Sequence, residues 1–292
     1  MTPKIIDIHP HIISGDTVRY PHAPLGGKRS DWSEERPFPV EQYLIEMQAA
    51  GVSQAAMVHS STTYGHDNSY CADSVVAYPD RLVGIYSFDI GAPDAVATIE
   101  AHRARGMAGL RLFGAGSTVQ TDGAWMIAPE TRAVWDHMAQ IGMTVAIQTT
   151  SIGMDTVERI LQTYPDVTVI LDHLGRPDLT DGAPYAKAAR LWSMARYPNL
   201  YHKITPRTFD LSEKAPATPQ SFFAKLVAEY GADRLAWGSN FPANNGSLLD
   251  LVTQGHRCFA DLSDADRAMI WAGTAEKLYP QLLAPSMPQA AQ

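Results

Sequence analysis

The feature that most constrains the fold is an alternation between short apolar runs and longer segments with helical periodicity, repeated along the chain. The apolar runs are mostly continuous, as expected of parallel strands that are covered on both faces. There are eight of them: Ile5–His9, Gln54–His59, Leu82–Asp89, Ala108–Phe113, Thr144–Gln148, Val167–His173, Leu200–Ile204 and Leu235–Gly238. Between them, residues such as Val157, Ile160 and Leu161 recur at helical spacing. Eight strands, each followed by a helix, predict a single-domain α/β fold, the (β/α)₈ or TIM barrel.

An open, doubly wound sheet is the alternative fold. It is disfavoured because no glycine-rich phosphate-binding sequence follows the first strand. We expect the barrel to occupy residues 1–283, with closing helices over Ser263–Tyr279 and a flexible C-terminal tail over 284–292.

Composition restricts the partners. A net charge of −8 without a basic run argues against nucleic-acid binding. No apolar run approaches the ~20 residues that span a membrane, so no membrane partner is expected. Cys71 and Cys258 fit no zinc or redox spacing, and the first strand begins where a signal peptide would lie. We therefore expect a cytoplasmic protein, either monomeric or a homo-oligomer.

Polar residues cluster where the predicted strands end, which is where such barrels keep their active sites. His9 and His11 are two residues apart, so both can point into the barrel mouth, and His173 ends the sixth strand. We expect these three histidines to be catalytic. A single histidine such as His59 is more often structural, although it remains a candidate.

Three motifs carry a resemblance to a known family: His9-Pro-His11, Asp-His-Leu-Gly-Arg-Pro over 172–177, and Trp-Gly-Ser-Asn-Phe-Pro over 237–242. Together they resemble the amidohydrolase superfamily, over essentially residues 4–280. The most similar branch is amidohydrolase-2, which includes the 2-pyrone-4,6-dicarboxylate lactonases and related metal-dependent hydrolases and decarboxylases. Tyr64-Gly-His-Asp-Asn, Gly-Leu-Arg111 and Lys203 also look like the lactonases. The resemblance implies hydrolysis of a small carboxylated cyclic ester from aromatic catabolism.

One departure from the family bears on metal binding. The family usually carries aspartate at the end of strand 8, as a metal ligand or a base, and this chain has Asn240. A neutral amide is a poor metal ligand and no base. Gln148 stands where metal-binding relatives often have histidine. We therefore expect no required cofactor; a weakly held zinc ion would be bound by His9, His11 and His173.

Cationic residues at the strand ends suggest the substrate. Arg111, Arg176, Lys203 and Arg207 are predicted to bind a small-molecule carboxylate, because the guanidinium fork matches that group. Gln148, His59 and Tyr64 are further candidates for substrate contacts. The histidines would polarise the carbonyl. His173 or His59 would take the proton of water that Asn240 orients.

Three other functions stay open. The scaffold also hosts non-oxidative decarboxylases of aromatic or unsaturated acids, which need no base to activate water. A zinc-dependent amidohydrolase or hydratase is the second alternative. The third is a non-catalytic barrel that binds a small acid.

Overall fold

The computed structural model of the protein describes residues 4–115, 119 and 121–283. Eight parallel strands follow one another around a barrel in chain order. They are β1 (Ile5–Asp7), β2 (Val52–Val58), β3 (Leu82–Tyr86), β4 (Met107–Phe113), β5 (Thr144–Gln148), β6 (Val169–Leu171), β7 (Leu200–Ile204) and β8 (Leu235–Trp237). The amide of Ile8 donates to the carbonyl of Trp237 at 3.3 Å and joins the two end strands. The predicted (β/α)₈ barrel is confirmed.

Helices on the outside connect the strands. They are α1 (Asp31–Glu35), α2 (Val40–Ala50), α3 (Ser61–Tyr64), α4 (Ser69–Ala77), α5 (Ala95–Arg103), α6 (Arg132–Ile141), α7 (Met154–Thr163), α8 (Ala189–Ser193), α9 (Pro206–Ser212), α10 (Pro219–Tyr230), α11 (Leu248–Cys258), α12 (Asp264–Ala268) and α13 (Thr274–Leu278). A π-helical turn, Met269–Gly273, links α12 to α13, so the predicted closing segment is helical. The tail predicted over 284–292 lies outside the described residues. Within the described part of the chain, no helix is long and apolar enough to cross a membrane.

The N-terminal end of the barrel is filled by its own apolar side chains and by the closing segment. Ile6, Ile8 and Ile170 belong to a buried cluster that also contains Leu278 and Tyr279. The hydroxyl of Thr144 donates to the carbonyl of Leu278 at 3.2 Å, which ties α13 to the barrel. Because the barrel interior is packed at this end, a small molecule would enter the described part of the barrel at the C-terminal end of its strands.

The seam between β1 and β8 fixes the backbone that carries the first histidine. Asp7 accepts hydrogen bonds from the amides of His9 at 3.0 Å and Ser239 at 2.8 Å, and from the Tyr43 hydroxyl at 2.9 Å. A Cβ on Gly238 would lie only 2.5 Å from the Cβ of His9, so this close approach requires glycine. Burial raises the pKa of Asp7, and its three donors oppose that rise.

Candidate active site

A narrow cleft, here called the polar pocket, opens at the C-terminal end of the strands. It is lined by His11, Trp32, Ser60, Ser61, Thr62, Arg111, Gln148, His173, Arg176, Arg207, Asn240 and Ala243. Most of the residues that the sequence analysis selected therefore meet at one place. His9 lies against this group and is completely buried.

The three histidines form a compact cluster. The ring centroid of His9 lies 5.0 Å from that of His11 and 4.9 Å from that of His173, both in edge-on geometry. Burial lowers the pKa of His11 to about 3, and it holds the pKa of His9 well below its usual value with help from Lys203. These rings are therefore neutral near pH 7, and each can donate one hydrogen bond and accept another.

Hydrogen bonds assign the tautomers of two of the rings. His11 Nδ1 lies 2.9 Å from the carbonyl of Val58, which can only accept, so Nε2 keeps its lone pair. His9 Nδ1 lies 3.2 Å from Lys203 Nζ, and an ammonium can only donate. Asp172 Oδ1 is farther from the same nitrogen, at 3.5 Å, and forms no hydrogen bond with it. His9 therefore carries its proton on Nε2, which has no hydrogen-bond partner among the described residues. The cluster offers a donor on His9 beside an acceptor on His11.

A buried ion network lies beneath the pocket. Asp172 Oδ2 accepts from Arg111 Nε at 2.9 Å, and Asp172 Oδ1 lies 3.0 Å from Lys203 Nζ. Burial tends to raise the pKa of Asp172, but Lys203 and Arg111 more than offset this and lower it to about 2. Lys203 was expected to touch the substrate; instead its side chain is fully buried and holds His9.

His173 lies on an unusual backbone segment. Residues 173–176 all have positive φ, at 54°, 54°, 68° and 57°, and the turn is closed by the Arg176 amide on the His173 carbonyl at 2.9 Å. His173 Nδ1 lies 2.7 Å from the Thr205 hydroxyl. Burial, then the nearby arginines led by Arg207, hold the pKa of His173 well below its usual value, against the opposing charge of Asp172. The left-handed turn directs both His173 and Arg176 to the polar pocket.

Asn240 is held by a neighbour that sequence reasoning missed. Its φ is 51°, and its Nδ2 donates to Asn244 Oδ1 at 2.6 Å. This bond fixes the orientation of the amide and leaves Oδ1 as an acceptor.

Besides Lys203, two further predicted contacts are not brought to the pocket. The Nε2 of His59 bonds to the Gly65 carbonyl at 2.9 Å, and burial lowers the pKa of His59 to about 4. The hydroxyl of Tyr64 accepts from the Ser14 amide at 2.8 Å. Neither side chain lines the polar pocket. The bond to Gly65 holds the His59 ring against the end of α3.

The predicted ligand set fits a divalent ion poorly. Lys203 places a proton on the His9 nitrogen that would have to bind metal. Asp172, the carboxylate beside the cluster, already balances two cations. Within residues 4–115, 119 and 121–283, no three His, Cys, Asp or Glu side chains are placed to share an ion. The weakly held zinc ion stays a prediction. We derive no catalytic step through a metal.

Some participants had weak sequence signals. Asp172 directly precedes His173 in the sequence. Its part in the site depends on its side chain pointing into the barrel at the end of the strand, which the sequence does not show. Trp32 stacks on His11, with its ring centroid 5.5 Å from that of His11. Asn244 had no signal at all, because its role depends on a turn that brings it back to Asn240.

Known proteins are similar to this chain in sequence and in fold. A 4-sulfomuconolactone hydrolase of Rhizobium radiobacter is 25% identical over 268 residues, covering 85% of this chain and 82% of the relative. A 2-pyrone-4,6-dicarboxylate hydrolase of Comamonas testosteroni is 23% identical over 266 residues, with the same coverage of 85% and 82%. A solved structure from Pseudomonas putida, assigned as a 2-pyrone-4,6-dicarboxylic acid hydrolase, matches with a TM-score of 0.77 and 23% identity, covering 97% of this chain and 100% of the other.

The amidohydrolase family model matches residues 6–281, which include the barrel, the histidine cluster and the closing helices. The chain therefore belongs to this amidohydrolase family.

Proposed function

We propose that the protein hydrolyses a small lactone that carries at least one carboxylate. The observation that carries this proposal is the composition of the polar pocket, where neutral imidazoles meet a group of guanidinium ions at one cleft. The two relatives named for hydrolysis of a muconolactone and of a pyrone dicarboxylate support the choice of a cyclic ester. Such a lactone would be an intermediate in the breakdown of aromatic compounds.

Arginine residues would bind and orient the acid. Arg111, Arg176 and Arg207 line the pocket, and burial lowers the pKa of Arg176 and of Arg207. Partly desolvated guanidinium ions without enough counter-charge favour an anion, and a carboxylate can accept two parallel hydrogen bonds from one of them. Trp32, stacked on His11, offers a flat face to the ring of the substrate.

The histidines would carry the chemistry. The Nε2 proton of His9, fixed by Lys203, donates to the carbonyl oxygen and stabilises the negative charge that forms there. Water held by Asn240 attacks the carbonyl carbon, and His173 accepts its proton. The ring C–O bond then breaks, and the leaving oxygen takes the proton back from His173.

Substrate binding would also prepare His173 for this task. The charges of Arg207, Arg111 and Arg176 help to lower the pKa of His173 in the free protein. A bound carboxylate offsets those charges and so raises the pKa of His173, while burial, the largest cause of its lowering, remains.

A panel of carboxylated lactones, followed by the absorbance change on ring opening, tests the proposal. His173→Ala should lower kcat by about 10²-fold or more, as expected for loss of a general base, while circular dichroism shows an intact fold. His202→Phe is the matched control, because His202 is buried outside the pocket and should leave kcat unchanged. If no lactone is hydrolysed and carboxylated aromatic acids release CO₂ instead, the protein is a decarboxylase and not a hydrolase. If the protein binds these acids saturably and turns over none of them, its function is binding and not catalysis.

A further inference from the structure

A second cavity adjoins the polar pocket and differs from it in chemistry. This cavity, here called the apolar pocket, has a volume of about 220 Å³. Its walls include Leu25, Phe88, Leu112, Phe113 and Trp125, and His66 and Asp89 also border it. Arg111 lines both cavities, so a molecule bound to this guanidinium has access to either side.

One wall of the apolar pocket is held in place. The indole Nε1 of Trp125 donates to the Phe113 carbonyl at 3.2 Å. The guanidinium of Arg111 lies over the Phe113 ring, 4.6 Å from its centroid. Asn68 bonds to both the amide and the carbonyl of Ser87, at 3.0 and 2.9 Å, and fixes the chain that enters Phe88. These contacts fix the wall formed by Phe88, Phe113 and Trp125.

Its size and lining specify the class of group that it takes. An apolar cavity of about 150 Å³ is enough to bind benzene, so 220 Å³ accommodates an aryl ring or an alkyl chain of roughly six to eight carbons. A bare dicarboxylate would leave this surface in contact with water, whereas an apolar substituent would bury it and gain affinity.

We propose that the apolar pocket binds a hydrocarbon substituent of the acid whose carboxylate is held by Arg111. The substrate class is then a carboxylated lactone with an aryl or medium-length alkyl substituent. The lactone ring in this statement rests on the proposed function; binding of the hydrocarbon part does not.

Straight-chain carboxylates from acetate to decanoate test the pocket without any reaction. Titration calorimetry should show affinity rising about fourfold for each added methylene, and then levelling off once the cavity is filled. An affinity that is independent of chain length would overturn the proposal.

Filling the cavity provides the second test. Leu25→Trp should weaken the binding of octanoate at least tenfold and leave the binding of acetate unchanged. Val18→Trp is the matched control, because Val18 is 92% exposed and lies outside the pocket. His66→Trp fills the same cavity from another wall and replaces Leu25→Trp if that variant does not fold. Equal octanoate affinity in the wild type and in a folded filled variant contradicts the proposal.

Turnover separates this inference from the proposed function. If long-chain acids bind in the expected pattern and no lactone is hydrolysed, the pocket stands and the lactonase fails. If lactones are hydrolysed with the same kcat/KM with and without a phenyl substituent, the lactonase stands and the pocket fails.

Discussion

Buried neutral histidines should make the protein unusually sensitive to mild acid. Five histidines are fully buried or nearly so: His9, His11, His59, His173 and His202. Burial lowers the pKa of His11 and of His202 to about 3 and that of His59 to about 4. The pKa values of His9 and His173 are also held well below 6.5, chiefly by burial. In the unfolded chain all five return to about 6.5.

The sign of the effect follows from proton uptake. Between pH 6.5 and about 4 the unfolded chain binds protons that the folded protein does not, so the stability present above pH 6.5 is lost as the pH falls. Each such histidine contributes about 1.4 kcal/mol per pH unit, and five together about 7 kcal/mol per pH unit. Asp7, whose pKa burial raises, opposes this by at most one proton. Since domains are stable by about 5–15 kcal/mol, unfolding should occur roughly one to two pH units below 6.5.

Urea unfolding measured at intervals from pH 7.5 to 5.0 gives the slope directly. His202→Phe is the control, because both ring nitrogens of His202 lack partners in the described structure and the ring packs edge-on against Tyr230 at 4.4 Å. Phenylalanine keeps that packing, so the slope should fall by about 1.4 kcal/mol per pH unit without loss of stability at pH 7.5. A wild-type slope of about 1.4 kcal/mol per pH unit or less, which corresponds to one proton, would refute the reasoning. So would an unchanged slope in His202→Phe.

Three substitutions probe the site and its support. Asp172→Asn leaves two buried cations without their counter-ion and should lower the free energy of unfolding by about 3–5 kcal/mol in urea titrations; a loss under 1 kcal/mol would mean that the network is solvated. Gly238→Ala should cost about 1–3 kcal/mol and also lower kcat, because the new methyl group displaces His9; unchanged kinetics would show that the seam does not position the ring. Asn240→Asp supplies a base, provided that Asn244 turns its amide to donate, and should raise kcat/KM about 10²-fold, whether or not zinc is added. Activity that appears only with zinc would instead indicate a restored metal site.

The architecture could be predicted from sequence because it depends on local pattern. Eight apolar runs with helical segments between them admit few arrangements, and β5 and β7 begin and end where the pattern placed them. The opposite case is β6, predicted as Val167–His173 but ending at Leu171. The chain leaves the strand there to enter the left-handed turn, and apolarity carries no information about the sign of φ.

The site could be predicted by position but not by role. His11, His173 and Asn240 were placed at the pocket because strand ends converge in a barrel. Lys203 was also at a strand end, yet its function depends on the depth of its ammonium and on its partners. The role of Asp172 could not be predicted for the same reason, because one sequence does not show which residues on distant strands form ion pairs.

The left-handed turn at residues 173–176 places stability and activity in competition. An L-residue in this conformation costs about 1–2 kcal/mol, a penalty that glycine avoids. Arg176→Gly should therefore give a protein that melts at a higher temperature and binds its acid less well. A selection for heat resistance alone would favour that change and remove a guanidinium from the pocket. Ancestral or laboratory lineages of this barrel should keep arginine there only while turnover of the acid is under selection.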